Sequence, residues 1–333
     1  MIGRSGPNTG PSSNGRRGNM IRVIKHYLLS LVATAVLVSA SASAMAADAS
    51  QRVKFASAPW PGVTVKTTVA QTILEAIGYD TNLMNASWTI ALQGVARGNI
   101  DADLGIWMPT QKSTVEPLVQ SGRIDLLVKN VPDARYDLVV PAYVWNAGVH
   151  SIADLQAHAD KFDHRIYGIE AGNDGNEIVQ KAIDANTYGL SDWRLRASST
   201  AAMLAEAGRA IDKKQWIVFL GWKPHWMNIR YDLKYLEDPK QIWGGGSSVW
   251  TAINPAYAKA NPNATRFLKQ MVVPSKIQSQ WIYAYGYKKQ SADTVATTWI
   301  KNHWDTVGHW LDGVTTADGS GPALAAAKQA IGG

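Results

Sequence analysis

Residues 217–226 read Ile217-Val218-Phe219-Leu220-Gly221-Trp222-Lys223-Pro224-His225-Trp226. A short apolar run bounded by Gly and Pro reads as a buried strand, Ile217–Leu220, and the chain leaves it on a tryptophan. The same arrangement occurs at Ala102–Ile106, a buried strand running into Trp107-Met108-Pro109. It occurs again after Val53–Ala56, where Trp60-Pro61-Gly62 separates a strand from the helical spacing of Val63–Ile77. In open α/β sheets, ligands bind beyond the carboxyl ends of the strands. Strand-exit loops that each carry a Trp beside Gly or Pro therefore bear on both fold and site.

Outward from these loops, short β-type runs alternate with helical patterns. Val63–Ile77 ends at Gly78, a plausible C′ residue. Ile90–Arg97 reads as a second helix, and Leu138–Val140 is apolar and β-branched before Pro141. Ser151–Asp160 reads as a helix opened by Ser151 with Asp154 three residues on, a variant of the capping box. Ile166–Ile169 is a strand, Asn176–Asn186 a helix, Leu195–Ala197 strand-like and Thr200–Lys213 a helix. Val249–Ile253 is a strand that returns to the first unit, followed by helical patterns at 255–261, 264–271 and 277–287. Ala292–Leu311 reads as one long amphipathic helix, and Pro322–Ile331 as a short, loosely attached one. Such alternation implies α/β lobes with mainly parallel sheets flanked by helices. A crossing near Val139–Tyr143 and a return near Ser248–Ile253 imply two lobes around a cleft. The expected division is 47–140 plus 249–290 for lobe 1, 141–248 for lobe 2, and 291–333 as a C-terminal segment packing on lobe 1.

The net charge of +7 is concentrated at the start of the chain. Residues 1–46 hold Arg4, Arg16, Arg17, Arg22 and Lys25 and no acid, and the remainder nets +2. A nucleic-acid surface needs a concentrated basic patch, and none stands after residue 46. Residues 1–46 read as an N-terminal extension and secretory signal peptide, with Met20 as the better start. Arg22 and Lys25 precede the apolar run Leu28–Val38, and Ala44-Met45-Ala46 is a small-residue cleavage pattern. That run is too short to span ~30 Å of hydrocarbon. The chain has no Cys, which excludes disulfides, thiolate metal sites and N-terminal lipidation on Cys. The expected location is the periplasm, with the signal peptide cleaved near Ala46.

Fourteen Trp against four Phe is unusual, because a buried indole N–H needs a partner. Trp216, Trp281, Trp299, Trp304 and Trp310 lie in or beside helical patterns and read as packing residues. Trp60, Trp107 and Trp222 occupy strand exits, where spacing alone does not separate a ligand role from packing. Several indole faces around one cavity suit a cation that cannot donate hydrogen bonds, at roughly 0.5–2 kcal/mol per face.

Here the sequence resembles the glycine betaine, proline betaine and choline substrate-binding proteins of ABC transporters, over roughly residues 52–285. The resemblance is carried by Gly221-Trp222-Lys223-Pro224-His225-Trp226, the run 231–239, Ala197-Ser198-Ser199-Thr200-Ala201-Ala202-Met203 and Trp107-Met108-Pro109-Thr110. It implies a two-lobed periplasmic binding protein fold of type II, with the ligand in the interlobe cleft. It further implies a cage of Trp60, Trp107, Tyr136 and Trp222, with Asn173 touching the ligand. Without it, Tyr136 reads as a strand-end tyrosine and Asn173 as a helix-capping turn residue. The implied partners are a small quaternary-ammonium ligand and the membrane permease subunits of a transporter with its ATPase; a monomer is expected, with no nucleic acid and no cofactor.

Two departures mark the polar end. Choline-type members look to carry an Asp two residues after the first cage Trp, and here that position is Gly62. Some betaine-binding members have a His five residues after the second cage Trp, and here it is Lys112, which reads as a carboxylate partner or a solvated charge. Backbone N–H groups around Val63–Val65 offer a further carboxylate site. No catalytic or metal motif appears: His303 and His309 do not share a tight helical face, and no Walker A, G-x-S-x-G or H-E-x-x-H sequence is present. An exported carbohydrate-binding protein or glycosidase that stacks sugars on Trp is the alternative. An enzyme of that kind needs paired carboxylates, and Asp101, Asp103 and Glu170 do not single out a pair.

Overall fold

The structure is a computed structural model and describes residues 3, 5–8 and 51–333. The expected export signal, including Met20, the apolar run 28–38 and the Ala44–Ala46 pattern, lies outside the described residues. The first strand is β1 (Arg52–Ser57), where Val53 and Phe55 alternate inward. Helix α1 (Pro61–Ala76) follows. Pro61 is suited to its first turn, because the missing N–H would have no partner there anyway. Its other end closes on Gly78 at φ +95°, with Gly78 N–H donating to Glu75 O and Tyr79 N–H to Leu74 O. These are the two bonds of a Schellman cap.

Next come β2 (Asp80–Asn85), α2 (Trp88–Ala96), β3 (Ala102–Met108), α3 (Lys112–Gln120) and β4 (Asp125–Val131). The chain then enters a second sheet through β5 (Arg135–Pro141) and α4 (Ala142–Trp145). That sheet is completed by β6 (Arg165–Tyr167), α5 (Asp174–Asp184), β7 (Arg194–Arg196), α6 (Thr200–Asp212), β8 (Phe219–Lys223), α7 (Met227–Arg230) and β9 (Leu233–Tyr235). Strand β10 (Ser248–Ile253) returns to the first sheet. Helices α8 (Pro255–Ala260), α9 (Pro262–Gln270), α10 (Ser275–Ile282), α11 (Ala292–Lys301), α12 (Trp304–Trp310) and α13 (Ala323–Ile331) follow.

The first sheet has the order β2-β1-β3-β10-β4 and the second β7-β6-β8-β5-β9. In the first, β1 pairs parallel with β2 and β3, and β10 runs antiparallel to β3 and β4. In the second, β6 is parallel to β7 and β8, and β5 antiparallel to β8 and β9. The reversed strand in each sheet is the one entered directly from the other lobe. Strands joined by a helical crossover within a lobe must run the same way; β5 and β10 escape that constraint.

Several expectations change. The crossing falls between Val131 and Arg135, not at 139–143: Leu138–Val140 is apolar because β5 lies inside the second sheet between β8 and β9. Residues 151–162 form 3-10 turns rather than an α-helix, although the capping box at Ser151 and Asp154 is made. The 292–311 helix is broken at His303 (φ −139°), yet Ile300, Val307, Trp310 and Leu311 still bury one face in the same core, so their spacing misled. Helix α13 is not loose. Ala323 and Ala327 are fully buried in the core that holds α1, β1 and β3.

Candidate ligand-binding cleft

Strands β3 and β8, one from each lobe, end in tryptophans that line one cavity. Trp222 sits directly opposite Tyr136 in the antiparallel pairing of β8 with β5, so their side chains share a face. The ring centroids are 5.9 Å apart at 84°. Trp107 reaches the same Tyr136 from the first lobe, edge-on at 5.7 Å. Trp60, the residue before α1, lines the same cavity, along with Gly62, Val63, Asn173, Pro224 and Val249. Both Trp107 and Trp222 are followed after one residue by a cis proline, Pro109 and Pro224.

Trp107 and Trp222 are fixed through their backbones, and Tyr136 through its ring. Gln111 Oε1 accepts from Trp107 N–H at 2.9 Å, and Trp107 O accepts from Gln111 N–H at 3.0 Å. Asn228 donates to Trp222 O at 2.8 Å and accepts from the Tyr235 hydroxyl at 2.9 Å. Trp243, buried, packs against Tyr136 at 5.1 Å. His225 sits between Trp222 and Trp226 at 5.0 and 5.2 Å, with Nδ1 accepting from Met227 N–H. Burial pushes its imidazole down to about 3, so it packs as a neutral ring.

The Tyr136 hydroxyl donates to Asn173 Oδ1 at 2.8 Å, and the same oxygen accepts from Gly175 N–H at 2.9 Å. Asn173 therefore caps α5 and fixes the phenol at once. The arrangement requires glycine at 175, because a Cβ there would lie 2.1 Å from the Tyr136 hydroxyl oxygen. Lys112 stands apart from the other expected site residues. It is exposed at the start of α3, 3.5 Å from Glu116, and does not line the cavity. Its i,i+4 partner on the same helix accounts for its charge.

Three polar lining residues escaped sequence reading. Asp174 follows Asn173 and is 6% exposed, and burial pushes its carboxyl up to about 6. Gln278, on α10, donates to Gly62 O at 3.0 Å and leaves its Oε1 buried without a partner. Lys66, on α1, is 1% exposed, and burial pulls its ammonium down to about 7 against the attraction of Asp103. The available signal for Lys66 was its place in the apolar face of a helix, with no acid one turn away on either side.

The centre of a water-sized sphere can occupy ≈ 40 Å³ of this cavity. Treated as a sphere and widened by the ~1.4 Å radius of water, that leaves room for about 180 Å³ of solute. This suits one small molecule. The lobes also touch beside the cavity: Trp88 Nε1 donates to Gly172 O at 3.3 Å, and Trp226 and Arg230 of one lobe pack on Tyr287 of the other at 5.2 and 4.9 Å. Among the described residues no group of His, Cys, Asp and Glu is placed to hold a metal, and no helix is long and apolar enough to cross a membrane.

A family described as the substrate-binding domain of ABC-type glycine betaine transport systems matches residues 51–302. The chain belongs to this family. A solved ABC-transporter choline-binding protein in complex with choline is 32% identical and superposes with a TM-score of 0.80, covering 85% of this chain and 99% of that one. A lactococcal glycine betaine-binding relative, in its closed-liganded conformation, is 31% identical with a TM-score of 0.71, covering 78% and 98%. The glycine betaine/carnitine transport binding protein GbuC of Listeria monocytogenes is 34% identical over 162 residues, 48% of this chain and 53% of that protein. The family fixes the two-lobed type II fold and a role as a binding component of an ABC transporter rather than an enzyme.

Proposed function

We propose that the protein captures a quaternary-ammonium solute, glycine betaine or a relative such as carnitine or choline, and delivers it to an ABC importer. The observation that carries this reading is the convergence of Trp60, Trp107, Tyr136 and Trp222 from both lobes on one small cavity. Their faces attract a diffuse, weakly hydrated cation, and a Lys or Arg solute would lose hydration there without replacement hydrogen bonds. Asn173 fixes Tyr136, while Gly62 and Val63 bring backbone N–H groups to the cavity wall. Three or four faces with methyl burial approach the ~8 kcal/mol of a micromolar complex.

The sugar alternative has less support. Asp101 and Asp103 are buried and bonded to Lys54 N–H and Gly105 N–H, and Glu170 accepts twice from Thr200. None is paired with another carboxylate across the cavity. Calorimetry with betaine, carnitine, choline and simple sugars tests the reading. Heat from a sugar and from no onium compound would overturn it.

The same proposal places residues 1–46 as a cleaved export signal and the mature chain in the periplasm as a monomer, with lobe closure presenting a surface to the permease subunits. Sequencing the N-terminus of the exported protein checks the expected cut after Ala46, and its mass in solution checks the monomer.

A further inference from the structure

A buried ammonium lines the cavity on the helix that begins beside Trp60. Lys66 lies one turn after Gly62 on α1, so Gly62, Val63 and Lys66 share the face turned to the cavity. Its ammonium makes one hydrogen bond among the described residues, to Asn130 Oδ1 at 2.5 Å. Asn130 is fixed in turn by Leu104 O and the Thr251 hydroxyl, at 3.0 and 2.9 Å. An ammonium has three donors, so two remain. The acid that acts on it is Asp103 of β3, which is engaged with Gly105 N–H at 2.8 Å and is not within ion-pair distance. The N–H groups of Gly62 and Val63, in the first turn of this 16-residue helix, also have no acceptor among the described residues. Asp174 lies beside the cage, near enough to push the Tyr136 phenol further up. The cavity is therefore lined by charge of both signs, a carboxyl beside Tyr136 and, on α1, an ammonium with free helix N–H groups.

We propose that Lys66 is the specificity-determining residue of this cavity and that the ligand is a zwitterion, its onium group in the cage and its carboxylate on Lys66 and the Gly62 and Val63 N–H groups. This rests on the quaternary-ammonium reading above. A buried ammonium given a carboxylate recovers in charge-assisted hydrogen bonds what it lost on leaving water. Choline offers only a hydroxyl there and leaves the charge uncompensated.

The test is calorimetry of glycine betaine, carnitine and choline at pH 7 on the wild-type protein and on Lys66→Met, a substitution of similar length without the charge. The two zwitterions are expected to bind wild type more tightly than choline. In Lys66→Met they lose about 100-fold in affinity, while choline changes less than about threefold. Equal losses for all three ligands, or a wild type that prefers choline, would overturn the proposal while leaving the onium reading intact. If no onium compound binds wild type, the onium reading itself falls.

A second measurement needs no variant. The groups facing Lys66 are Asp103 from β3, the uncharged Asn130 of β4 and Gln278 of α10, and Asp174 across the cavity. The ammonium is pulled down to about 7 in the free protein, and a bound carboxylate raises it. Zwitterion binding at pH 8 should therefore take up protons, read as a dependence of the heat on buffer ionisation enthalpy, whereas choline binding takes up none. Identical proton uptake for both ligand types would also overturn the assignment.

Discussion

Replacing Trp107 with Ala removes one indole face and keeps the loop that carries it. The loop is held by its backbone, through the paired bonds of Trp107 and Gln111, and by the pairing of Trp107 with Val249 across β3 and β10. The loss therefore reports on the ring. A single face contributes roughly 0.5–2 kcal/mol to a cation, and the methyl groups lose burial worth ~0.8 kcal/mol per carbon. The sum is about 1–3 kcal/mol, or about 5- to 150-fold in Kd. Calorimetry should compare each onium ligand with its tert-butyl isostere, which has the same shape and lacks the positive charge. Wild type should prefer the onium ligand, and Trp107→Ala should shrink that preference as well as the affinity. Unchanged affinity would remove Trp107 from the cage. Equal losses for onium and tert-butyl ligands would show that the ring packs on the ligand without contributing cation–π attraction.

Further outcomes follow from the same geometry. Asp174 is raised to about 6 by burial, and an onium ligand favours its ionised form, so betaine affinity should fall by up to about fivefold as pH drops from 7 to 5, the fuller protonation of Lys66 offsetting part of the loss. Asp174→Asn should flatten that dependence in a calorimetric pH series; an undiminished slope would assign it elsewhere. Gly175→Ala puts a Cβ 2.1 Å from the Tyr136 hydroxyl. It should cost about 1–3 kcal/mol in stability by overpacking and weaken ligand binding, seen in thermal melts and titrations, whereas a wild-type melt would contradict the close approach. Deleting residues 322–333 uncovers the apolar surface under Ala323 and Ala327. The melting temperature should drop by the equivalent of about 2 kcal/mol, and no change would restore the picture of a loose tail.

The fold was legible where strands are buried on both faces. Ala102–Ile106 and Ile217–Leu220 announce themselves as apolar runs, and β3 and β8 lie at those places near the sheet centres. Strand β2 was not legible, because Asp80–Asn85 is a polar edge strand paired to β1 alone, which needs no apolar alternation. The break between α11 and α12 was hidden for the opposite reason: two helices that bury the same face keep one spacing across the gap.

At the site, the aromatic residues were visible because Trp is rare and strand exits are recognisable in one dimension. The polar groups were not. Lys66 and Lys112 are both lysines near cage residues, and the local difference between them, an acid one turn on from Lys112 and none near Lys66, does not say which one faces a ligand. One ends at Glu116 in solvent, and the other ends under the cavity floor at Asn130, 64 residues away. Local pattern determined that this chain builds α/β lobes and sets tryptophans at strand ends, since hydrophobic period and turn chemistry act over a few residues. Only the tertiary structure decided which charge faces the cavity, because the desolvation and hydrogen bonding that govern a buried charge come from strands distant in sequence.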